Sequence, residues 1–252
     1  MFNICVAIPV KTGDFKDFEI ILKRVLSTNP NLVEFRFDYI GDIENITPDF
    51  LKSILNLTKP NVLSIFTFRD KSEGGQYDQI LEREGYLNVI NILIEAQPEY
   101  IDIEMNSDMH MLGEVIKGAS ENDVKLIFSY HDFEKTPIYE EIQNILERFK
   151  DKLLDNHLID FISFKQVIFK LIFSALKFED NLVPLKLCEK FSEREKEQGI
   201  ISFCMGENGI FSRITCVKFG SFLTFASFED ATAPGQIKIE VMRNLHKQLF
   251  NS

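Results

Sequence analysis

The run VIFKLIF, residues 167 to 173, is apolar throughout except for Lys170. A strand with one face in water alternates apolar and polar residues, whereas a strand covered on both faces reads as a near-continuous apolar run. Runs of similar character recur at ICVAIPV (4–10), LVEFRFD (32–38), VLSIFTF (62–68), YIDIE (100–104), KLIFSYH (125–131), IISFCM (200–205) and FLTFAS (222–227). Between them apolar residues fall three and four apart, as at Phe15, Phe18, Leu22, Val25 and Leu26, or Ile138, Ile142, Ile145, Leu146 and Phe149. That spacing lays one apolar helix stripe on a sheet. Eight such units in 252 residues have the size and rhythm of a (β/α)8 TIM barrel, with a doubly wound open sheet as the alternative. No linker rich in Pro, Gly or Ser interrupts the chain, so residues 1–252 are expected to form one domain.

Composition excludes several function classes. The net charge is −11 and the isoelectric point about 5.0, without the basic stripe that a nucleic-acid surface needs. No apolar run approaches the ~20 residues of a bilayer span. Cys5, Cys188, Cys204 and Cys216 form no CxxC pair and no signal peptide precedes them, which predicts reduced thiols in a cytoplasmic protein. His110, His157 and His246 lack ligand spacing with one another, so no metal is expected.

In a barrel of this kind the site is built at the C-terminal ends of the strands. Glu34, Arg36 and Asp38 alternate along the second run, so a pleat carries all three on one face, as a structural ion-pair ladder or as part of a site. The third run ends in Arg69, followed by Glu73 and two glycines. The fourth carries Asp102 and Glu104, the fifth His131, the sixth Lys170, and the eighth leads to Thr232 and Gln236. A lysine inside an apolar run costs several kcal/mol to bury unless it is paired or deprotonated, which marks Lys170 for chemistry.

The segments EFRFD (34–38), TFRDKSEGG (67–75), YIDIE (100–104), SYHDFEKTP (129–137), FSRI (211–214), FGSFLTFA (219–226) and APGQI (233–237) together resemble type I 3-dehydroquinate dehydratase, in family order along the chain. The resemblance implies a (β/α)8 hydro-lyase without a cofactor, acting on 3-dehydroquinate at the third step of the shikimate pathway, in a homodimer. It implies that Lys170 forms a Schiff base with the substrate ketone and that His131 is the general acid and base, oriented by Glu73. It further implies that Glu34, Arg36, Arg69, Arg213, Thr232 and Gln236 hold the substrate, with Met205 and Phe225 as apolar walls. These residue types suit the reaction. A protonated imine is an electron sink that makes the adjacent C–H acidic enough for an imidazole to deprotonate near neutral pH. The lysine must be neutral to attack, which predicts an apolar surround and nearby cations. Arginine matches a carboxylate by its planar fork.

The chain departs from the family pattern in places. FKLIFSA surrounds Lys170 where a VKIAVMP-like run is usual, and residues 150–166 are longer than the pattern, which leaves Lys165 as a rival. Thr232 replaces a serine, and Ala7 stands where a serine contact is sometimes found. Residues 229–236 are expected to act as a lid. A class I aldolase or transaldolase and a barrel that only binds a shikimate-like ligand are the alternatives; no glycine-rich phosphate cradle follows the last strands, which favours the dehydratase over the aldolases.

Overall fold

Inward-facing positions along the strands change from apolar to charged between one end and the other, and this gradient creates both the core and the site. A computed structural model describes residues 2–158, 167–229 and 232–250. Its strands are β1 (Ile4–Pro9), β2 (Leu32–Arg36), β3 (Leu63–Thr67), β4 (Tyr100–Glu104), β5 (Lys125–Asp132), β6 (Val167–Ser174), β7 (Gly199–Met205) and β8 (Thr224–Ala226). All pair in parallel in the order β7-β6-β5-β4-β3-β2-β1-β8. Among the described residues no ladder joins β7 to β8; the Phe222 amide donates to the Ile200 carbonyl at 2.7 Å across that seam. The result is a nearly closed (β/α)8 barrel, as the sequence predicts.

The helices are α1 (Phe15–Ser27), α2 (Pro48–Thr58), α3 (Arg83–Glu95), α4 (Met109–Glu121), α5 (Tyr139–Asp155), α6 (Leu182–Arg194), α7 (Ile210–Thr215) and α8 (Ile239–Phe250). Several starts are written in the sequence. The Thr47 hydroxyl accepts from the Phe50 amide with Pro48 in the first turn of α2, and Asp14 and Asp108 accept from Lys16 and Met111 at the starts of α1 and α4.

Outward-facing residues of β2 and β3 pack on the helix ring through aromatic edges. Phe35 meets Phe18 and Phe66 at 6.1 and 5.6 Å, and Phe37 meets Phe66 at 5.0 Å. Inward, Leu32, Ile65, Tyr100, Ile127, Ile168 and Ile201 belong to a separate apolar cluster that fills the lower barrel. Two residues further along five of these six strands stand Glu34, Thr67, Asp102, Ser129 and Lys170. Phe66→Ala is expected to destabilise the fold by about 3–5 kcal/mol, because the ring is fully buried between rigid neighbours. Urea unfolding followed by circular dichroism checks this.

Four strands are shorter than the sequence suggests, β1 and β3 by one or two residues and the second and eighth for reasons visible in the structure. The second stops at Arg36, and Phe37–Tyr39 form a 3-10 turn where Arg36 reaches forward to grip Asp38. The eighth spans only Thr224–Ala226, because the Phe222 and Ser227 amides bond outside the β1 ladder, to Ile200 and Ile237. All four cysteines are free and buried. Among the described residues no helix is long and apolar enough to cross a membrane.

Candidate active site

A cavity of about 210 Å³ opens at the C-terminal mouth of the barrel. The residues to which the resemblance gives a catalytic or binding role line it: Glu34, Arg36, Arg69, Glu73, His131, Lys170, Arg213, Thr232 and Gln236, with Met205 and Phe225 on its walls, whereas Asp38, Asp102 and Glu104 lie outside its lining. Lys165 lies outside the described residues.

Lys170 rises from the middle of β6. Its Nζ lies 2.9 Å from Asp102 Oδ2, 3.4 Å from Glu34 Oε1 and 4.8 Å from the centre of the Phe225 ring. The expected apolar groups and cation are there, as Phe225 and as Arg69 on the other oxygen of Asp102, but two carboxylates that the sequence reading does not place also face the lysine nitrogen. Asp102 is the hub beneath it. Its other oxygen receives Arg69 Nη2 at 2.8 Å and the Ser129 hydroxyl at 2.6 Å, while Arg69 Nη1 also donates to Glu104 at 2.7 Å. Burial alone would push the Asp102 carboxyl up, but Arg69 and Lys170 hold it well below the usual carboxylate range. The Thr67 hydroxyl donates to Glu34 at 3.0 Å. Each buried charge here has an opposite partner, which removes most of its desolvation cost.

His131, near the end of β5, meets Glu73 on the turn after β3, with Nδ1 at 3.0 Å from Oε2. The turn needs its two glycines: Gly74 sits at φ +86°, and a Cβ on Gly75 would come within 2.0 Å of the Arg69 carbonyl oxygen. Phe133 stacks on the imidazole at 6.1 Å. Burial raises the Glu73 carboxyl to about 7 against the opposing pull of Arg69. Burial also drives the His131 imidazole well below its ordinary value, helped by the charges of Arg69 and Lys170. The ring is therefore neutral at physiological pH. With Glu73 ionised, Nδ1–H donates to the carboxylate and Nε2 keeps a free lone pair.

The three arginines differ in their partners. Arg36 is chelated by Asp38 at 2.7 and 2.8 Å, the ladder reading of that strand. Arg69 is shared between Asp102 and Glu104. Arg213, on α7, is 1% exposed and has no acidic partner among the described residues. Its Nη2 donates to the Pro234 carbonyl at 3.0 Å, its Nε is buried without an acceptor, and its guanidinium lies 4.5 Å over Phe203. Burial pulls this guanidinium down to about 10, which still leaves it cationic at neutral pH. Pro234 also accepts from the Gly206 amide at 3.4 Å, and Gln236 Nε2 donates to the Thr232 hydroxyl at 3.0 Å. Residues 230 and 231 of the expected lid lie outside the described residues.

The sequence marks Asp102 only as a polar strand residue, and although the alternation of YIDIE turns it inward, the register of β4, β5 and β6 is what sets it beside the lysine. Ser129 and Asn106 went unassigned. Asn106 Nδ2 donates to Glu73 Oε1 at 3.0 Å from the loop after β4, and no spacing rule links the two positions. Among the described residues no group of His, Cys, Asp or Glu is arranged to hold a metal ion.

Fold and cavity together define a barrel with a buried lysine, an imidazole and a guanidinium without an acidic partner at one mouth. The family model for type I 3-dehydroquinase matches residues 4–252. The 3-dehydroquinate dehydratase of Shigella dysenteriae is 30% identical over 220 residues, covering 86% of this chain and 82% of that one. The solved structure of the Clostridium difficile type I 3-dehydroquinate dehydratase superposes with a TM-score of 0.80 at 28% identity, covering 99% of this chain and 92% of that chain. That of the Geobacillus kaustophilus enzyme gives 0.82 at 25% identity, covering 100% and 93%. The chain belongs to the type I 3-dehydroquinase family, a family of hydro-lyases.

Proposed function

We propose that this protein dehydrates 3-dehydroquinate to 3-dehydroshikimate, with Lys170 as the nucleophile and His131 as the proton carrier. The observation that carries the reading is that Lys170 Nζ and the His131 ring open on one cavity in which Arg213 has no acidic partner of its own. The substrate is an anion carrying a ketone, and these are the groups it requires.

The Lys170 amine adds to the C3 carbonyl and, with one proton taken up, releases that oxygen as water, leaving a protonated imine that gives the proton back when it is finally hydrolysed. His131 Nε2 takes a proton from C2, and the electron pair moves into the C2–C3 bond as an enamine. The enamine expels the C1 hydroxyl, which leaves as water with the proton returned by His131. Water then hydrolyses the imine, frees the amine and restores the ketone, so the net change is loss of one water. Glu73 keeps the imidazole in the tautomer with Nε2 free. Arg213 takes the substrate carboxylate; Arg69 holds Asp102, one of the two carboxylates beside the amine, while Arg36 is held by Asp38 at the edge of the mouth. The Clostridium difficile relative was solved with covalently modified comenic acid, which supports covalent capture in this family.

The test is mass spectrometry after incubation with 3-dehydroquinate and sodium borohydride, which reduces an imine to a stable amine. An adduct on the Lys170 peptide is expected. An adduct on Lys165 would move the nucleophile, and no adduct together with no dehydroshikimate formation would remove the reading. Arg213→Met is expected to raise KM about 10- to 100-fold with a smaller effect on kcat, since one charge-assisted hydrogen-bonding partner is lost. The same reading places the activity at the third step of the shikimate pathway, on a single-domain cytoplasmic homodimer; sedimentation velocity tests the assembly.

A further inference from the structure

The α5 helix runs for 17 residues, against 11 to 13 in α1, α2, α3, α4, α6 and α8. The extra length falls in the part of the sequence that exceeds the family pattern, and it reaches across to the loop after β4. There, in the last turn of α5, Lys152 Nζ donates to the Ser107 carbonyl at 2.8 Å and lies 3.4 Å from the Met105 carbonyl. Just beyond α5, Leu158 packs beside Gly113 of α4. The loop is also fixed from inside, by the Met105 amide on the Ser129 carbonyl at 2.7 Å and the Ser107 amide on the Glu104 carbonyl at 3.1 Å. Between these anchored neighbours stands Asn106, whose amide donates to Glu73 Oε1.

We propose that Asn106, held in place by Lys152 of α5, is a positioning residue that keeps Glu73 ionised and aimed at His131. The proposal rests on the dehydratase reading in taking His131 as the proton carrier. Asn106 does not line the cavity, so it acts through Glu73 and not on the substrate. Its hydrogen bond favours the ionised carboxyl, because an amide N–H stabilises a carboxylate more than a carboxylic acid. Arg69 from the end of β3 acts in the same direction, while Glu104 and Asp102 from β4 and burial itself oppose it. His131 faces Glu73 from β5, and Lys170 and Arg36 act on that imidazole from β6 and β2. With the carboxyl at about 7, loss of one hydrogen bond shifts its balance toward the protonated form.

Without the Asn106 amide, Glu73 takes up a proton at higher pH, and a protonated Glu73 donates to Nδ1. The imidazole hydrogen then sits on Nε2, which can no longer accept the substrate proton. For Asn106→Leu the acidic limb of the kcat profile is expected to move up by about one pH unit, with kcat at pH 7 about fivefold to tenfold lower, recovery above pH 8.5, and KM within about twofold. Lys152→Met leaves Asn106 in the chain but frees its loop, and a smaller displacement of the same sign is expected.

A merely structural role predicts lower rates at every pH with the profile unmoved, and that result in Asn106→Leu overturns the proposal. A displaced profile in Asn106→Leu with an unmoved one in Lys152→Met overturns the clamp and keeps the positioning role. The second readout needs no turnover: imidazole nitrogen chemical shifts of 15N-labelled protein, with His131 assigned by its loss in His131→Gln. The proton moving from Nδ1 to Nε2 at higher pH in Asn106→Leu than in the unaltered chain supports the proposal even if 3-dehydroquinate proves not to be the substrate; unchanged shifts overturn it.

Discussion

Lys170→Ala protein, treated with 3-dehydroquinate and borohydride, is expected to gain no mass and to turn over roughly ten-thousand-fold more slowly than the unaltered chain, since the covalent route is lost entirely. The size of the effect comes from what the lysine changes electronically. A neutral ketone leaves its α-proton far beyond the reach of an imidazole, and no other group in the mouth can make the carbon electron-poor. Arg69 and Arg213 are cations, but neither forms a bond to the substrate. Folding is a separate matter. Removing the ammonium leaves Glu34 with the Thr67 hydroxyl and Asp102 with Arg69 and Ser129, so both buried carboxylates keep a donor. Lys170→Met, which preserves the apolar stem, controls for packing, and both variants are compared by thermal unfolding. A trapped adduct surviving on another lysine would show that Lys170 is not the nucleophile.

For His131→Ala the expected result is different in kind: kcat falls by about a hundred- to ten-thousand-fold, the usual range for a positioned acid–base group, while the borohydride-trapped adduct persists or accumulates. Imine formation consumes the lysine and the ketone; the blocked step is removal of the C2 proton. Comparison of the two variants separates bond formation from proton transfer. Loss of the adduct in His131→Ala as well would assign the imidazole to building the imine, with elimination carried by another group.

How far the sequence reaches can be judged residue by residue. The barrel is legible because parallel strands covered on both faces cannot hide their continuous apolar runs, and the helix stripes between them keep a regular interval. The mouth is legible because charges at strand ends, Glu34 to Lys170, interrupt those runs where apolar residues would otherwise continue. Pairing is less legible. Alternation places Arg36 and Asp38 on one face, but only the turn at Phe37–Tyr39 brings the guanidinium onto the carboxylate. Asp102 looks like one acid among many until the register of β4, β5 and β6 sets it beside Lys170. Asn106 and Lys152 are 46 positions apart in the chain, and their connection exists only through loop and helix geometry.

The seam between β7 and β8 sorts the mouth into two kinds of ground. Lys170, His131 and the turn bearing Glu73 stand on an unbroken arc from β3 to β6, where every strand is laddered on both sides. Arg213 and the Thr232–Gln236 segment stand by the joint that has no ladder. A hoop with one soft joint flexes there and stays true elsewhere. On the mechanism proposed above, the groups that would make and break bonds occupy the laddered part of the ring and the guanidinium that would grip the anion stands at the joint, so admitting and releasing a small molecule there would leave the alignment of amine and imidazole undisturbed.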